Sequence, residues 1–207
     1  MKSVVCRFAT GVTRGVYDKA DDTSGEALVD SYLVKNKGCF GCSIGCGRVT
    51  RIPDGPFKSM GEGPEYEAAG PMVQTVASMI WPLICKANFL CNQYGMDPIT
   101  LGSTIACAME LYEKGLLSEE EIGRPLPFGD AQAMVELTEI TGKMEGFGVE
   151  LAQGSYRLAE KHGAPELSMS VKSRKCQPMM GALFRGWPLN SYIKPRRLPC
   201  ARLPDFT

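Results

Sequence analysis

Three cysteines lie within eight residues of this chain, at Cys39, Cys42 and Cys46, and glycines flank them. The spacing C-x2-C-x3-C allows one short loop to direct several thiolates at one metal centre, and glycine permits the tight turns that such a loop needs. Thiolates are ligands of iron–sulfur clusters and of zinc. The spacing therefore predicts a metal site, with a [4Fe–4S] cluster as its favoured occupant.

Other uses of these cysteines are less favoured. A zinc site would need a fourth ligand, and the only histidine, His162, lies far along the chain in a charged segment. Disulfides are disfavoured because cysteines this close together cannot all pair without strain. Burial as small apolar residues does not explain three cysteines set among glycines. A [4Fe–4S] cluster normally has four cysteine ligands, so we expect the fourth ligand to come from elsewhere.

The composition is that of an ordinary globular chain of 207 residues, with 44% hydrophobic and 22% charged residues. Twenty-three basic residues balance 23 acidic ones, so no net field favours nucleic acid or an anionic membrane as a partner. No apolar run has the length of a membrane span, and the first residues do not form a secretory signal. Nine cysteines without such a signal favour a reducing compartment, so we expect a cytoplasmic location.

Capping residues and apolar spacing predict a mainly α fold with short loops and almost no strand. A first helix begins at Ser24, reaches Leu33 and delivers the chain to residues 38–46, here called the cysteine loop. Pro64, Asp97, Ser118 and Asp130 are expected at the starts of later helices. Those helices are expected over 65–77, 83–94, 98–114, from 119 onward, over 130–140 and over 149–162.

Several motifs, taken in order, resemble the aldehyde:ferredoxin oxidoreductases, a family of tungsten- or molybdenum-pterin enzymes. The resemblance spans about residues 15–172 and implies the helical domain type of that family. The strings that carry it are Ser-Gly-Glu-Ala-Leu at 24–28, Asn-Lys-Gly-Cys-Phe-Gly-Cys at 36–42, Gly-Pro-Glu-Tyr-Glu at 63–67, Ala-Asn-Phe-Leu-Cys-Asn-Gln-Tyr-Gly-Met-Asp at 87–97 and Ala-Met-Glu-Leu-Tyr-Glu-Lys-Gly at 108–115.

The resemblance implies roles for the cysteines and for a second loop. Cys39, Cys42 and Cys46 match three ligands of the [4Fe–4S] cluster that lies beside the pterin, while the family's fourth ligand lies much later. Residues 92–97 resemble the pterin-binding loop D-x-x-G-L-D/C, with Asn92 in place of the first aspartate and Met96 in place of leucine. Gly95 supplies the turn, and Asp97 is expected to contact the pterin. A plain helix cap is the alternative role for Asp97.

Two glutamates fall where the family carries an active-site glutamate. Glu65 and Glu67 follow Pro64, and we expect one of them to face the metal and to move a proton. The alternative is that acidic residues simply favour the first turn of a helix, where they interact with its dipole.

The implied function is that of an oxidoreductase fragment. The family oxidises aldehydes to carboxylic acids at a tungsten or molybdenum bis-pyranopterin, and electrons leave through the [4Fe–4S] cluster to ferredoxin or another carrier. Related members act on other substrates, including benzoyl-coenzyme A. The alternative function is a non-catalytic iron–sulfur or interaction fragment, since the pterin-holding domain would have to come from a separate chain. A radical enzyme using S-adenosylmethionine is disfavoured, because its barrel does not suit this helical pattern.

Three segments are expected from these patterns. Residues 1–14 form an atypical start, residues 15–172 the helical iron–sulfur and pterin-binding domain, and residues 173–207 an irregular tail. The tail holds prolines, arginines and methionines without helical periodicity. Back-translation of residues 176–180 and 194–204 permits peptides typical of the family in a reading frame shifted by one base. A shifted reading frame is therefore the expected origin of the tail.

Overall fold

A computed structural model describes residues 25–65, 68–72, 81–168, 170–171 and 174–175. Ser24, Glu67, the start at 1–14 and the tail from 176 lie outside the described residues. The second half of the helix predicted over 65–77 also lies outside the described residues, while residues 68–72 are described and are helical. The Ala69 N–H donates to the Glu65 carbonyl at 2.9 Å, which agrees with a helix that begins near Glu65.

A small sheet carries the cysteine loop, which corrects the expectation of almost no strand. Helix α1 (Gly25–Tyr32) leads into β1 (Leu33–Lys37) and not directly into the loop. Strands β2 (Gly47–Ile52) and β3 (Ser59–Glu62) complete an antiparallel sheet of order β1-β2-β3. The alternation along β2 explains the strand, because the β-branched residues Thr50 and Ile52 are buried while Arg51 between them is exposed.

The predicted caps of the following helices are confirmed. Helix α2 runs over Trp81–Tyr94, and α3 over Pro98–Glu113 with Asp97 as its N-cap. Helix α4 (Glu119–Ile122) begins with the predicted capping box, in which Ser118 and Glu121 exchange hydrogen bonds. Helix α5 (Ala131–Lys143) begins at Asp130, whose carboxylate accepts from the Ala133 N–H at 2.9 Å.

The prediction of one continuous helix over 149–162 is wrong. It is divided into α6 (Gly148–Leu151) and α7 (Ser155–Lys161). Gly154 lies between them with a φ of 84°, a left-handed conformation that interrupts a right-handed helix. A 3-10 turn at Pro165–Ser168 and the short strands β4 (Ser170–Val171) and β5 (Arg174–Lys175) follow.

The hydrophobic core lies among the helices and buries most of their apolar side chains. Helix α2 packs on α5, α3 packs on α7 and the 3-10 turn, and the sheet packs on α1 and α2. No helix within the described ranges is long and apolar enough to cross a membrane. The largest fully buried side chains are Leu28, Met72, Ile84, Ile105, Met109, Leu111, Leu117, Leu126, Met134, Leu137, Leu151 and Leu158.

Candidate functional site: an exposed cysteine loop on a small sheet

The cysteine loop connects β1 to β2 and turns tightly. Lys37 pairs with Gly47 at its base, and within it the Cys42 N–H donates to the Cys39 carbonyl at 3.0 Å. Gly41 and Gly45 have φ values of 71° and 60°, a left-handed conformation that glycine adopts without steric cost. Gly41 and Gly45 are therefore required by the path of the loop.

The loop presents its three thiols to the outside. Cys39, Cys42 and Cys46 are all exposed, and none of them is in a disulfide. Two apolar side chains of the same loop are also exposed, since Ile44 has 80% of its surface accessible and Phe40 is fully accessible. The loop thus offers three soft ligands together with an apolar tip.

The other described cysteines are buried in the helical core. Cys85 and Cys91 lie in α2 and Cys107 lies in α3. Burial raises the pKa of the Cys85 thiol and of the Cys91 thiol to about 12, because a thiolate is poorly solvated there. Both thiols therefore ionise only at strongly alkaline pH, and both are closed off from solvent.

The donor set of the loop fits a thiolate-ligated metal centre. Three accessible thiols on one glycine-rich turn are the ligands that iron–sulfur clusters and zinc both use. The fit concerns the type of donor and not its arrangement, because among the described residues, the three loop cysteines included, no three or more His, Cys, Asp and Glu side chains are grouped so as to hold one metal ion. His162 lies in the helical part of the molecule, where its Nδ1 is 3.0 Å from the Leu116 carbonyl oxygen.

An arginine that the sequence did not single out joins the loop's exit strand to Glu65. Arg48 Nη2 donates to a Glu65 carboxylate oxygen and to the Pro64 carbonyl, each at 3.2 Å. The backbone supports the same junction, since the Gly63 N–H donates to the Arg48 carbonyl at 2.6 Å. Glu65 is half-exposed. The predicted catalytic residue Glu65 is therefore held beside the strand that begins one residue after Cys46.

A second link joins the sheet to helix α2. The buried Asn88 side chain donates to the Glu62 carbonyl at 3.0 Å. The Phe89 ring covers Gly61, where a Cβ atom would lie 2.7 Å from the ring carbon Cδ1. Since Asn88 and Phe89 precede the predicted pterin loop by one turn, α2 connects the cysteine-bearing sheet with residues 92–97. Sequence patterns do not indicate this contact, because it joins residues far apart along the chain.

The predicted pterin loop forms the end of α2 and the start of α3. Gly95 has a φ of 69°, and the Met96 N–H donates to the Cys91 carbonyl at 2.8 Å, as at many helix ends. Asp97 accepts from the Ile99 N–H at 3.1 Å and the Thr100 N–H at 3.3 Å, and from the Thr100 hydroxyl. Its role as a helix cap is confirmed. The pterin contacts of Asn92, Gly95, Met96 and Asp97 stay a prediction.

Comparison with known proteins agrees with the motifs. The family model "Aldehyde ferredoxin oxidoreductase, domains 2 & 3" matches residues 7–196, a range wider than the predicted helical domain at 15–172. The tungsten-containing aldehyde ferredoxin oxidoreductase of Pyrococcus furiosus is 48% identical over 76% of this chain and 26% of its own length. The aliphatic sulfonate oxidoreductase WOR-like subunit of the same organism is 32% identical over 59% of this chain and 20% of its own length.

A solved structure shares the fold. The active site complex BamBC of benzoyl coenzyme A reductase, in complex with 1,5-dienoyl-CoA, matches with a TM-score of 0.67 and 20% identity. The match covers 86% of this chain and 27% of that chain. The present chain thus spans about a quarter of the length of its relatives. The matched range and the identities show that the chain belongs to the aldehyde ferredoxin oxidoreductase family, in its domains 2 and 3.

Proposed function

We propose that this chain supplies the cluster-binding part of an enzyme that oxidises aldehydes to carboxylic acids. In this proposal Cys39, Cys42 and Cys46 bind a [4Fe–4S] cluster beside a tungsten or molybdenum bis-pyranopterin, and ferredoxin or another carrier receives the electrons. The bound pterin metal supplies the redox chemistry, and the protein supplies binding, orientation and proton transfer. A cytoplasmic location belongs to the same proposal.

One observation carries the proposal. The three cysteines of one glycine-rich loop are exposed and unbridged, while the cysteines of the helical core are buried. Family membership favours the iron–sulfur cluster over zinc for this donor set, because relatives of the chain are oxidoreductases by name. In this proposal the fourth ligand and the pterin-holding domain belong to parts of the enzyme outside residues 1–207.

The proposed roles of Glu65, Glu67 and Asp97 follow from their positions in the chain and in the fold. Glu65 is the candidate for proton transfer because Arg48 fixes its carboxylate next to the strand that leaves the cysteine loop. Glu67 stays the alternative candidate from the sequence. Asp97 uses part of its hydrogen-bonding capacity as a cap, and since a carboxylate has about four lone-pair sites, it retains capacity for a pterin donor.

The experiment has two stages with separate readouts. Anaerobic reconstitution of the full chain with iron and sulfide should give the visible absorption of an iron–sulfur cluster, and Cys42→Ser should abolish it. Aldehyde-dependent dye reduction is then measured with tungsten and a co-expressed pterin-holding chain. Glu65→Gln should lower the rate by roughly 100-fold, within the usual range for general acid–base catalysis, while the absorption is retained. Cluster absorption without dye reduction under any condition would contradict the enzymatic part.

A non-catalytic iron–sulfur or interaction fragment is the alternative function, and the exposed apolar tip of the cysteine loop is the observation that favours it. Relatives also differ in the substrates that they are named for, from aldehyde ferredoxin oxidoreductase to aliphatic sulfonate oxidoreductase, and the structural neighbour holds a dienoyl-CoA. A panel of aldehydes, a sulfonate and benzoyl-coenzyme A in the same dye assay distinguishes these substrates.

A further inference from the structure

Arg48 is a mostly buried cation on the inner face of the sheet. In β2 it alternates with Thr50 and Ile52, which are both buried, and alternate residues of a strand share a face. The side chain of Arg48 is only 25% exposed. A buried charge is costly without a compensating partner, so the groups around Arg48 decide how its charge acts on its surroundings.

Glu65 is the carboxylate that pairs with Arg48 among the described residues. Arg48 Nη2 lies 3.2 Å from a Glu65 carboxylate oxygen and donates to the Pro64 carbonyl at the same distance. Arginine is always protonated in proteins, whereas a carboxylate loses its charge when it takes up a proton. The charge of Arg48 is therefore offset while Glu65 is ionised and uncompensated while Glu65 is neutral.

Even the ionised Glu65 compensates the guanidinium only in part. Arg48 Nε is buried and has no hydrogen-bond partner. The positive charge of a guanidinium is delocalised over its nitrogens, so part of this charge lies on an atom that no acceptor reaches. Arg48 thus places residual positive charge inside the sheet, and its size depends on Glu65.

This charge lies close to the cysteine loop. Arg48 follows Cys46 by two residues, so their Cα atoms are at most about 7 Å apart. The backbone is fixed at this point, because Lys37 pairs with Gly47 and the Gly63 N–H donates to the Arg48 carbonyl at 2.6 Å. Burial weakens screening by water, and nearby charge is one of the factors that set the reduction potential of an iron–sulfur cluster.

We propose that Arg48 is a positioning residue that couples the charge of Glu65 to the reduction potential of the cluster. The inference rests on the proposed function, since it needs a [4Fe–4S] cluster on the cysteine loop. Arg48 acts in two ways: it holds the half-exposed Glu65 carboxylate beside β2, and it supplies the positive charge that Glu65 offsets. A neutral Glu65 then raises the potential of the cluster, and an ionised Glu65 lowers it.

The coupling would serve the proposed reaction. Oxidation of an aldehyde to a carboxylic acid with water releases two electrons and two protons. A proton taken up by Glu65 leaves Arg48 uncompensated, and this favours an electron on the cluster. One proton on Glu65 and one electron on the cluster together leave the net charge unchanged, so each uptake promotes the other.

The test is the reduction potential of the reconstituted cluster in the full chain, which needs neither pterin nor turnover. Glu65→Gln removes the charge of Glu65 at nearly constant size, and Arg48→Gln removes the cation. Arg48→Lys keeps a cation but loses the planar fork of donors. Lys37→Gln is the matched control, because Lys37 lies two residues before Cys39 but is 57% exposed and pairs with the exposed Glu62.

We expect Glu65→Gln to raise the ratio of reduced to oxidised cluster at a fixed potential roughly tenfold, a shift of about 59 mV for one electron. Arg48→Gln should lower this ratio by a similar factor, while Lys37→Gln and Arg48→Lys change it by about twofold or less. In the Arg48→Gln chain, Glu65→Gln should have a clearly smaller effect, because Glu65 then turns to water and its charge is screened.

Several results would overturn the coupling and leave the cluster assignment intact. These are an unchanged potential in Glu65→Gln, an equal effect of Glu65→Gln with and without Arg48, or a shift in Lys37→Gln as large as that in Arg48→Gln. If Arg48→Gln does not fold, the potential of Glu65→Gln alone decides, since that substitution is at a half-exposed position. An unaltered chain that takes up no iron would overturn the proposed function together with the coupling.

Discussion

The sheet module (residues 33–62) and the helical module (residues 81–168) use cysteine in opposite ways. In the sheet module three thiols are exposed on a glycine-rich loop, in a segment of net positive charge. In the helical module the thiols are buried among apolar side chains, in a segment of net negative charge, and those of α2 are held protonated. The same residue type is thus available for metal chemistry in one region and serves as a small core residue in the other.

Thiol alkylation should show the largest difference between the modules. A rise in pKa from 9.0 to about 12 lowers the thiolate fraction of Cys85 and Cys91 about 1,000-fold near pH 8. In the metal-free folded chain, iodoacetamide should therefore label the cysteine loop while these two thiols stay unlabelled. Mass spectrometry of the peptides gives the rates, and comparable labelling of Cys85 would show that the two uses of cysteine are not distinct.

A close helix contact offers a way to weaken the helical module alone. At Gly142 in α5, a Cβ atom would lie 2.3 Å from the Tyr94 ring, so Gly142→Ala should cost about 1–3 kcal/mol of unfolding free energy through overpacking. Gly25→Ala is the matched control, since no atom lies within 4 Å of the Cβ there, and it should be neutral or slightly stabilising. Urea titration gives both values. A loss of iron per folded chain in Gly142→Ala would mean that the modules are coupled.

The buried thiols should also make the helical module sensitive to alkali. Cys85 and Cys91 ionise near pH 9.0 when unfolded but only near pH 12 when folded. Between these values the unfolded chain binds fewer protons, so stability falls as pH rises, by at most about 1.4 kcal/mol per pH unit for each thiol. Cys91→Ala should reduce this slope relative to the unaltered chain in urea titrations between pH 8 and 11. An unchanged slope would contradict the raised pKa.

The smallest effect concerns Asp97, whose cap role and predicted pterin role can be separated. Serine is about as good a cap as aspartate, so Asp97→Ser should change the melting temperature little, while Asp97→Ala should cost about 1 kcal/mol. If Asp97 also contacts the pterin, Asp97→Ser should reduce the pterin content of the co-expressed complex. Retained pterin in Asp97→Ser would leave Asp97 with its cap role only.

The helices of the fold could be predicted because their stop and start residues act locally. Asp97, Ser118 and Asp130 each accept backbone N–H groups two or three residues ahead, and sequence spacing shows this directly. The break at Gly154 was missed because one glycine does not disturb an apolar period, although its left-handed φ interrupts the helix. The sheet was missed because its alternation, in Arg48 to Ile52, is short and the neighbouring β1 is largely exposed.

The candidate site likewise has local features that the sequence predicts and long-range contacts that only the structure shows. The cysteine spacing and the glycines of the loop are local, and they predicted a tight loop of three metal ligands. The exposure of the thiols and of the apolar tip is shown only by the structure. The pairing of Arg48 with Glu65 and the contact of Asn88 with the Glu62 carbonyl join distant segments, so only the structure shows them. The charge separation between the modules was hidden because the total for the chain is zero.

Iron and sulfide content tests the central claim most directly. The full chain is reconstituted anaerobically with a small thiol present to occupy the fourth ligand position, beside the single variants Cys42→Ser and Cys91→Ala. We predict about four iron and four sulfide per chain for the unaltered protein and for Cys91→Ala, as a [4Fe–4S] cluster requires, and a near-complete loss for Cys42→Ser. Equal iron in all three proteins, or a single tightly bound zinc in place of iron, would contradict the assignment of the cysteine loop to an iron–sulfur cluster.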